Sequence, residues 1–130
     1  MGYFSSSGRR RGSLGVTKSS AAETSSTTHG VLNTKLASVA VVTVAVTAAS
    51  GTTPTMTVVV EGSNDSSTWF ELGTIGANGY RVGSVGTAPS NFTGAATVRG
   101  VFPAVQYLRT RSVVGGTTPS FTYSASAEMG

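Results

Sequence analysis

The stretch that most constrains this chain runs from Leu36 to Gly62, LASVAVVTVAVTAASGTTPTMTVVVEG. Two valine-rich runs flank a Ser-Gly-Thr-Thr-Pro break. Val and Thr branch at Cβ, which restricts χ1 and suits a pleated sheet better than a helix. Leu36, Ala40, Val42, Val44 and Val46 share one face, interrupted by Ser38, while Lys35, Val39, Val41, Thr43 and Thr47 make a milder one. After the break, Met56, Val58 and Val60 alternate with Thr55, Thr57, Val59 and Glu61. The period is 2, so the stretch predicts a β-hairpin with one apolar face, turning at the break. Each run of about ten residues is too short and too Thr-rich to cross a bilayer as a helix.

The remainder keeps a strand-and-turn rhythm. Gly62 to Ser67 is a turn cluster, followed by a short strand from Thr68 to Leu72. Gly73 to Thr97 reads as a long surface excursion with one irregular strand near Tyr80 to Val85. Val98 to Phe102 leads through Pro103 into VQYLRTRSV at 105–113, and Ser120 to Ala127 closes the chain with Phe121, Tyr123 and Ala125 inward. No window has helical periodicity. Gly51-Thr52-Thr53-Pro54-Thr55-Met56-Thr57-Val58 is echoed by Gly116-Thr117-Thr118-Pro119-Ser120-Phe121-Thr122-Tyr123. Each copy follows one β-rich run and opens another, as two similar hairpins of a sandwich would; one turn solution used twice is the plainer alternative.

With 130 residues there is room for one domain and one modest core. Charged residues are 11%, against roughly a quarter in ordinary soluble domains. That fits a turn-rich β domain, or a subunit partly covered by neighbours. No cysteine is present, which excludes a disulfide framework and thiolate chemistry. The first residues lack the apolar run of a signal peptide, so no export or membrane signal is read. The Asn-x-Ser/Thr triplets at Asn64 and Asn91 read as turn chemistry.

Residues 1–30 differ in kind, being rich in Ser, Gly and Thr. They carry Arg9, Arg10, Arg11 and Lys18 against Glu23, a net of +3; Lys35, Arg81, Arg99, Arg109 and Arg111 against Glu61, Asp65, Glu71 and Glu128 add +1, giving the whole +4. Such a segment is expected to be a flexible arm, because it buries too little apolar surface to offset chain entropy. Arginines on an arm can neutralise phosphates or dock in an acidic groove of a protein. Three are few for packaging a genome, which favours protein docking; a merely solvated tail is the remaining reading.

Signals for catalysis are sparse. His29 is the single histidine and falls at the end of the expected arm, where it reads as a linker residue. Glu61 and Asp65 flank a turn and could form a weak cation site of carboxylate and carbonyl oxygens, but their spacing matches no EF-hand loop. No phosphate-binding glycine loop, H-E-x-x-H or G-x-S-x-G occurs. Tyr107, Arg109 and Arg111, at i, i+2 and i+4, share one strand face. That face is either a partner surface or a charged solvent face that limits edge-to-edge pairing. Trp69 reads as a packing residue before a sugar-stacking platform.

VVVEGSNDSSTWFELG at 58–73 and VQYLRTRSV at 105–113 resemble discoidin, or coagulation factor 5/8 type C, domains. Gly62, Ser63, Asn64, Asp65 and Trp69 match the first motif of that group, with Ser66 where it has glycine. Tyr107 and Arg109 match the second, with Gln106 where it has arginine. Over residues 36–127 the chain also resembles small structural proteins of tailed bacteriophages. Those combine a V-x-V-x-G-S-N-D-x-S-x-W strand pair, a Tyr-Leu-Arg strand and a closing G-T-T-P-S-F-T-x-S segment.

The resemblance implies a virion part. For head decoration (cement) proteins it implies a β-sandwich gripping the capsid lattice, often as a symmetric homo-oligomer; for tail-tube proteins it implies rings of sandwiches. The sequence therefore predicts an all-β, two-sheet antiparallel sandwich, jelly-roll or immunoglobulin-like, over residues 31–130, with an extended N-terminal arm over 1–30. The expected function is non-enzymatic capsid decoration, with a tail-tube component and a discoidin-like carbohydrate-binding module as alternatives. Partner contacts are expected from Arg9, Arg10, Arg11 and Lys18 on the arm and from Tyr107, Arg109 and Arg111 on the strand face. The partners implied are the major capsid protein or other virion proteins, in a virion assembled in the host cytoplasm. No cofactor, metal or membrane partner is expected.

Overall fold

The computed structural model describes residues 12–35 and 37–130. The described residues form seven strands: β1 (Ser13–Glu23), β2 (Leu32–Asn33), β3 (Val39–Ser63), β4 (Phe70–Gly76), β5 (Gly79–Val82), β6 (Ala96–Pro103) and β7 (Tyr107–Met129). The protein is all-β, as its alternation predicts, and every strand pairing is antiparallel.

The hairpin expected over residues 36–62 does not form. β3 runs through the Gly-Thr-Thr-Pro break as one strand of 25 residues and pairs with β7, from Ala40↔Met129 to Ser63↔Tyr107. The two strands bend together. On its other side, the first half of β3 pairs with β6 and the second half with β4, while β1 flanks the second half of β7 and β2 the first. The ribbon of β3 and β7 thus passes from one layer, β1-β7-β3-β6, into a second, β2-β7-β3-β4-β5. The layers meet face to face: the rings of Tyr80 and Phe102 lie 5.4 Å apart edge-on, and Thr110 of one layer bonds Thr17 of the other at 2.8 Å.

The corner is made by the two Gly-Thr-Thr-Pro copies facing each other. The register slips on both sides of Thr52↔Thr117, as β-bulges do where a strand must turn between sheets. Gly51 and Gly116 have φ of +113° and +106°, and Thr53 and Thr118 have +47° and +46°. A Cβ on Gly51 would lie 2.6 Å from the Thr118 carbonyl oxygen, and one on Gly116 would lie 2.6 Å from that of Thr53. The internal repeat is therefore a pair of mutually fitted bends, each glycine admitting the other copy's backbone.

Inward residues follow the alternation. Ala40, Val42, Val44 and Val46 from one half of β3 and Met56, Val58 and Val60 from the other share a core with Leu108, Phe121, Tyr123 and Ala125. Each large apolar side chain so buried contributes about 1.5–3 kcal/mol. The excursion after Gly73 is more ordered than expected. β4 and β5 form a tight hairpin, and buried Phe92 exchanges two backbone hydrogen bonds with Met56 (2.7 and 3.1 Å).

Part of the segment expected as an arm, residues 1–30, lies in the sheet instead. Ser13–Glu23 is β1, bonded to β7 from Ser13↔Glu128 to Glu23↔Phe121. Leu14 and Thr17 are buried by it. Little aliphatic surface was needed, because β7 supplies the hydrogen-bonding edge and the core beneath. Arg9, Arg10 and Arg11 lie outside the described residues.

Gly51→Ala and Gly116→Ala should each lower stability by about 2 kcal/mol or more, since the added methyl strikes backbone rather than a yielding side chain. Thr53→Asn and Thr118→Asn should each raise it by about 0.5–1 kcal/mol, because asparagine accepts the left-handed conformation that a β-branched residue resists. Urea unfolding midpoints at neutral pH measure both effects.

Candidate functional site

Two constellations of polar side chains stand out, one inside the sandwich and one on its face. On the outer face of the second layer, Glu61 of β3 stands opposite Arg109 of β7 in register, with Arg111 one pleat along. Arg109 Nε donates to Glu61 Oε1 at 2.8 Å and Arg111 Nε to Oε2 at 3.0 Å. Each carboxylate oxygen thus holds one guanidinium. The Glu61 side chain is 12% exposed, against 24% for Arg109 and 36% for Arg111. The Arg109 guanidinium lies 4.1 Å from the centroid of the Trp69 ring, a cation–π contact that fixes its plane.

Trp69 is set there by the preceding turn. Asp65 Oδ1 accepts from the N–H groups of Thr68 (2.8 Å) and Ser67 (2.9 Å) and from the Ser63 hydroxyl (2.9 Å). Those bonds, the Thr68 N–H first, hold the Asp65 carboxyl below its ordinary range. The stability that the ionised carboxylate contributes is lost as pH falls below that ordinary range toward the lowered folded value. Ser66 adopts φ +62°, the left-handed conformation that glycine takes without strain.

The cation site considered for Glu61 and Asp65 is not assembled. Glu61 is committed to two arginines and Asp65 to its own turn, and the described residues contain no group of three His, Cys, Asp or Glu able to hold a metal. Tyr107, Arg109 and Arg111 do share a face, Tyr107 opposite Ser63 and Arg111 opposite Val59.

Lys18 is placed otherwise than expected. It lies in β1, its Nζ donating to the carbonyls of Ala21 (2.8 Å), Tyr123 (3.1 Å) and Ser19 (3.2 Å) and sitting 4.4 Å from the Tyr123 ring centroid. Partial burial lowers its pKa from the usual lysine value, with the Glu23 charge opposing. It clamps β1 to β7, so it does not ride on an arm.

The interior constellation gathers residues to which the sequence assigned no shared site. Glu23 Oε1 accepts the hydroxyls of Ser112 and Tyr123, and Oε2 lies 3.0 Å from His29 Nε2. His29 Nδ1 meets Thr110 Oγ1 at 2.7 Å; Thr110 donates to Thr17, and Thr17 to the Ala125 carbonyl. The His29 side chain is only 4% exposed. His29 is therefore no linker residue: it comes after β1 and ties that strand's end to β7. The arrangement has the members of a hydroxyl–imidazole–carboxylate triad, but Thr110 and Ser112 are buried and donate to protein acceptors. The one available signal was the inward register of β7, Leu108-x-Thr110-x-Ser112, which puts two hydroxyls where a core strand would carry aliphatics.

No protein-family model matches the chain, and no curated protein matches it. Among the described residues, no helix is long and apolar enough to cross a membrane.

Burial, and then the Glu23 bond, push the Tyr123 phenol well above its ordinary value. A raised phenol stabilises the fold fully below about pH 10, where unfolded tyrosine begins to ionise, and that share is lost as pH rises further. Lys18, shifted downward, works in the opposite sense and at lower pH, stability rising with pH only until unfolded lysine also loses its proton near 10.5. The net test is a comparison: unfolding midpoints above about pH 10 should fall more steeply for the native chain than for Tyr123→Phe. At neutral pH that variant should be weaker by about 1–3 kcal/mol, because Glu23 loses a donor.

Proposed function

We propose that this chain is a non-enzymatic structural subunit of a tailed-phage virion, acting as a capsid decoration (cement) protein within a homo-oligomeric coat. The supporting observation is the β3–β7 ribbon, hydrogen-bonded through both layers and stapled at its bend, which makes the body one stiff unit instead of two hinged sheets. A stiff body can bridge neighbouring lattice subunits without losing order on binding, and modest contacts repeated by symmetry add through multivalency. The polar residues that could serve acid–base chemistry, Glu23, His29 and Tyr123, are spent on joining β1 to β7. The phage-like strand motifs supply the assignment to a virion, assembled in the host cytoplasm. The arginines at 9–11 would lie along the neighbouring capsid protein, in a protein groove in preference to nucleic acid.

The decisive experiment removes only residues 1–11, since Ser13–Glu23 belongs to the sheet. The truncated chain should unfold at the same urea midpoint as the full chain but occupy capsids at least tenfold less well in a sedimentation assay. Equal occupancy would remove the anchoring role of Arg9, Arg10 and Arg11. Tubes or stacked rings of the purified protein in electron micrographs would replace decoration with a tail-tube role.

A further inference from the structure

Among the described residues, β1 and β6 edge the first layer and β2 and β5 the second, and an open edge is a template for another strand. Most of these edges are blunted. The pairing of β1 with β7 slips at three places, and β2 is two residues long. β5 has four residues, and the chain after it folds back beside it, Gly86 O accepting from Arg81 Nη1 at 3.1 Å. β6 differs: its eight residues follow β3 from Val39↔Pro103 to Val46↔Ala96 without a slip.

The outward backbone groups of β6 follow from the ladder. Gly130 N donates to Val39 O at 2.9 Å, so Val39 faces β7, and alternation turns Ala40, Val42, Val44 and Val46 toward β6. Their partners Phe102, Gly100, Val98 and Ala96 therefore face β3. Thr97, Arg99 and Val101 are left aiming N–H and C=O away from the sheet, and Pro103 adds a carbonyl. None of these groups meets a partner among the described residues. Beneath the same edge the core is open. Tyr80 and Val82 of β5 face inward, opposite Ile75 and Gly73, yet are 43% and 48% exposed. A Cβ on Gly100 would lie 3.0 Å from Tyr80 Cγ, so this apolar lip overhangs the middle of β6.

We propose that the open edge of β6 is a self-association surface, two copies of this chain pairing β6 antiparallel about a two-fold axis at Gly100. The occupant is selected by where the open groups lie. They belong to both layers, a hydrogen-bonding edge on one and an apolar lip on the other. A lone strand of another protein would extend the first layer only, whereas a second copy brings a matching edge and a matching lip. Register supports the same axis. Centred on Gly100, Arg99 and Val101 of one copy exchange bonds with Val101 and Arg99 of the other, and Thr97 N–H reaches the Pro103 carbonyl. Every outward donor is used, and the proline's missing N–H falls at the end of the ladder. Arg99 is the one charge on β6. A centre one residue earlier would set it directly opposite its own copy, while this centre leaves the two on a diagonal, about 7–8 Å apart.

Sedimentation velocity of the full chain should show a monomer–dimer equilibrium. Salt at 0.5 M should leave the dimer intact or tighten it, because it screens the two Arg99 charges. Val101→Pro deletes an outward N–H that no bond within the molecule uses, as edge strands allow, and should weaken the dimer at least tenfold with little change in urea midpoint. Val82→Lys, which sets like charges at the lip and leaves β6 untouched, should weaken it as much. In the dimer, the amides of Thr97, Arg99 and Val101 should exchange at least tenfold more slowly than in the dilute monomer, with those of Val98 and Gly100 unchanged. A chain that stays monomeric at millimolar concentration, or a dimer kept by both folded variants, overturns the interface. So do a dimer that salt dissolves, slowed exchange confined to other strands, and open-ended polymers, since a two-fold pairing closes on itself. The inference goes beyond the virion reading, and the test needs no capsid, so failure of one is told apart from failure of the other.

Discussion

Everything in this fold depends on the close approach of two backbones at the bend shared by β3 and β7. Strands of 25 and 23 residues cannot stay paired and also enclose a core unless they fold over at one place. The two Gly-Thr-Thr-Pro copies make that possible, each glycine leaving room for carbonyls of the opposite copy. Left-handed threonines beyond them are the local cost, and the core assembled from both halves offsets it. Because the bend is cooperative between the strands, neither copy would hold its conformation without the other.

The same geometry brings the first strand into the body. Once β7 bends, the outer edge of its second half needs a partner, and β1 supplies it. β1 is poor in aliphatics, so its end is held by Glu23, His29 and Lys18 bonding to β7 instead of by burial alone. A buried polar cluster of this kind is satisfied only in one register, since any slip would leave a carboxylate or hydroxyl unpaired. It therefore gives specificity to a pairing that apolar contacts alone would define weakly.

On the opposite side, Glu61 organises the exposed face. A covered carboxylate is shared by two arginines, and the Ser63–Asp65 turn sets Trp69 against one of the pair. The turn motif, the tryptophan and the Tyr-x-Arg-x-Arg strand, separate in the chain, are thus parts of one device.

Alternation alone determined much of this protein: its β class, the inward set Ala40, Val42, Val44, Met56, Val58, Val60, Phe121 and Tyr123, and the shared face of Tyr107, Arg109 and Arg111. Those follow from period 2, which is local. The sequence also displayed the Gly-Thr-Thr-Pro echo, but whether such a break reverses a strand or bends it depends on what lies opposite, and the opposing segment is 65 positions away. Only tertiary structure decided that the break is a corner, that Ser13–Glu23 joins the sheet, and that His29 is interior. Each of these turns on long-range pairing with β7, whose hydrogen bonds and core surface are invisible to any window of the chain that lacks it.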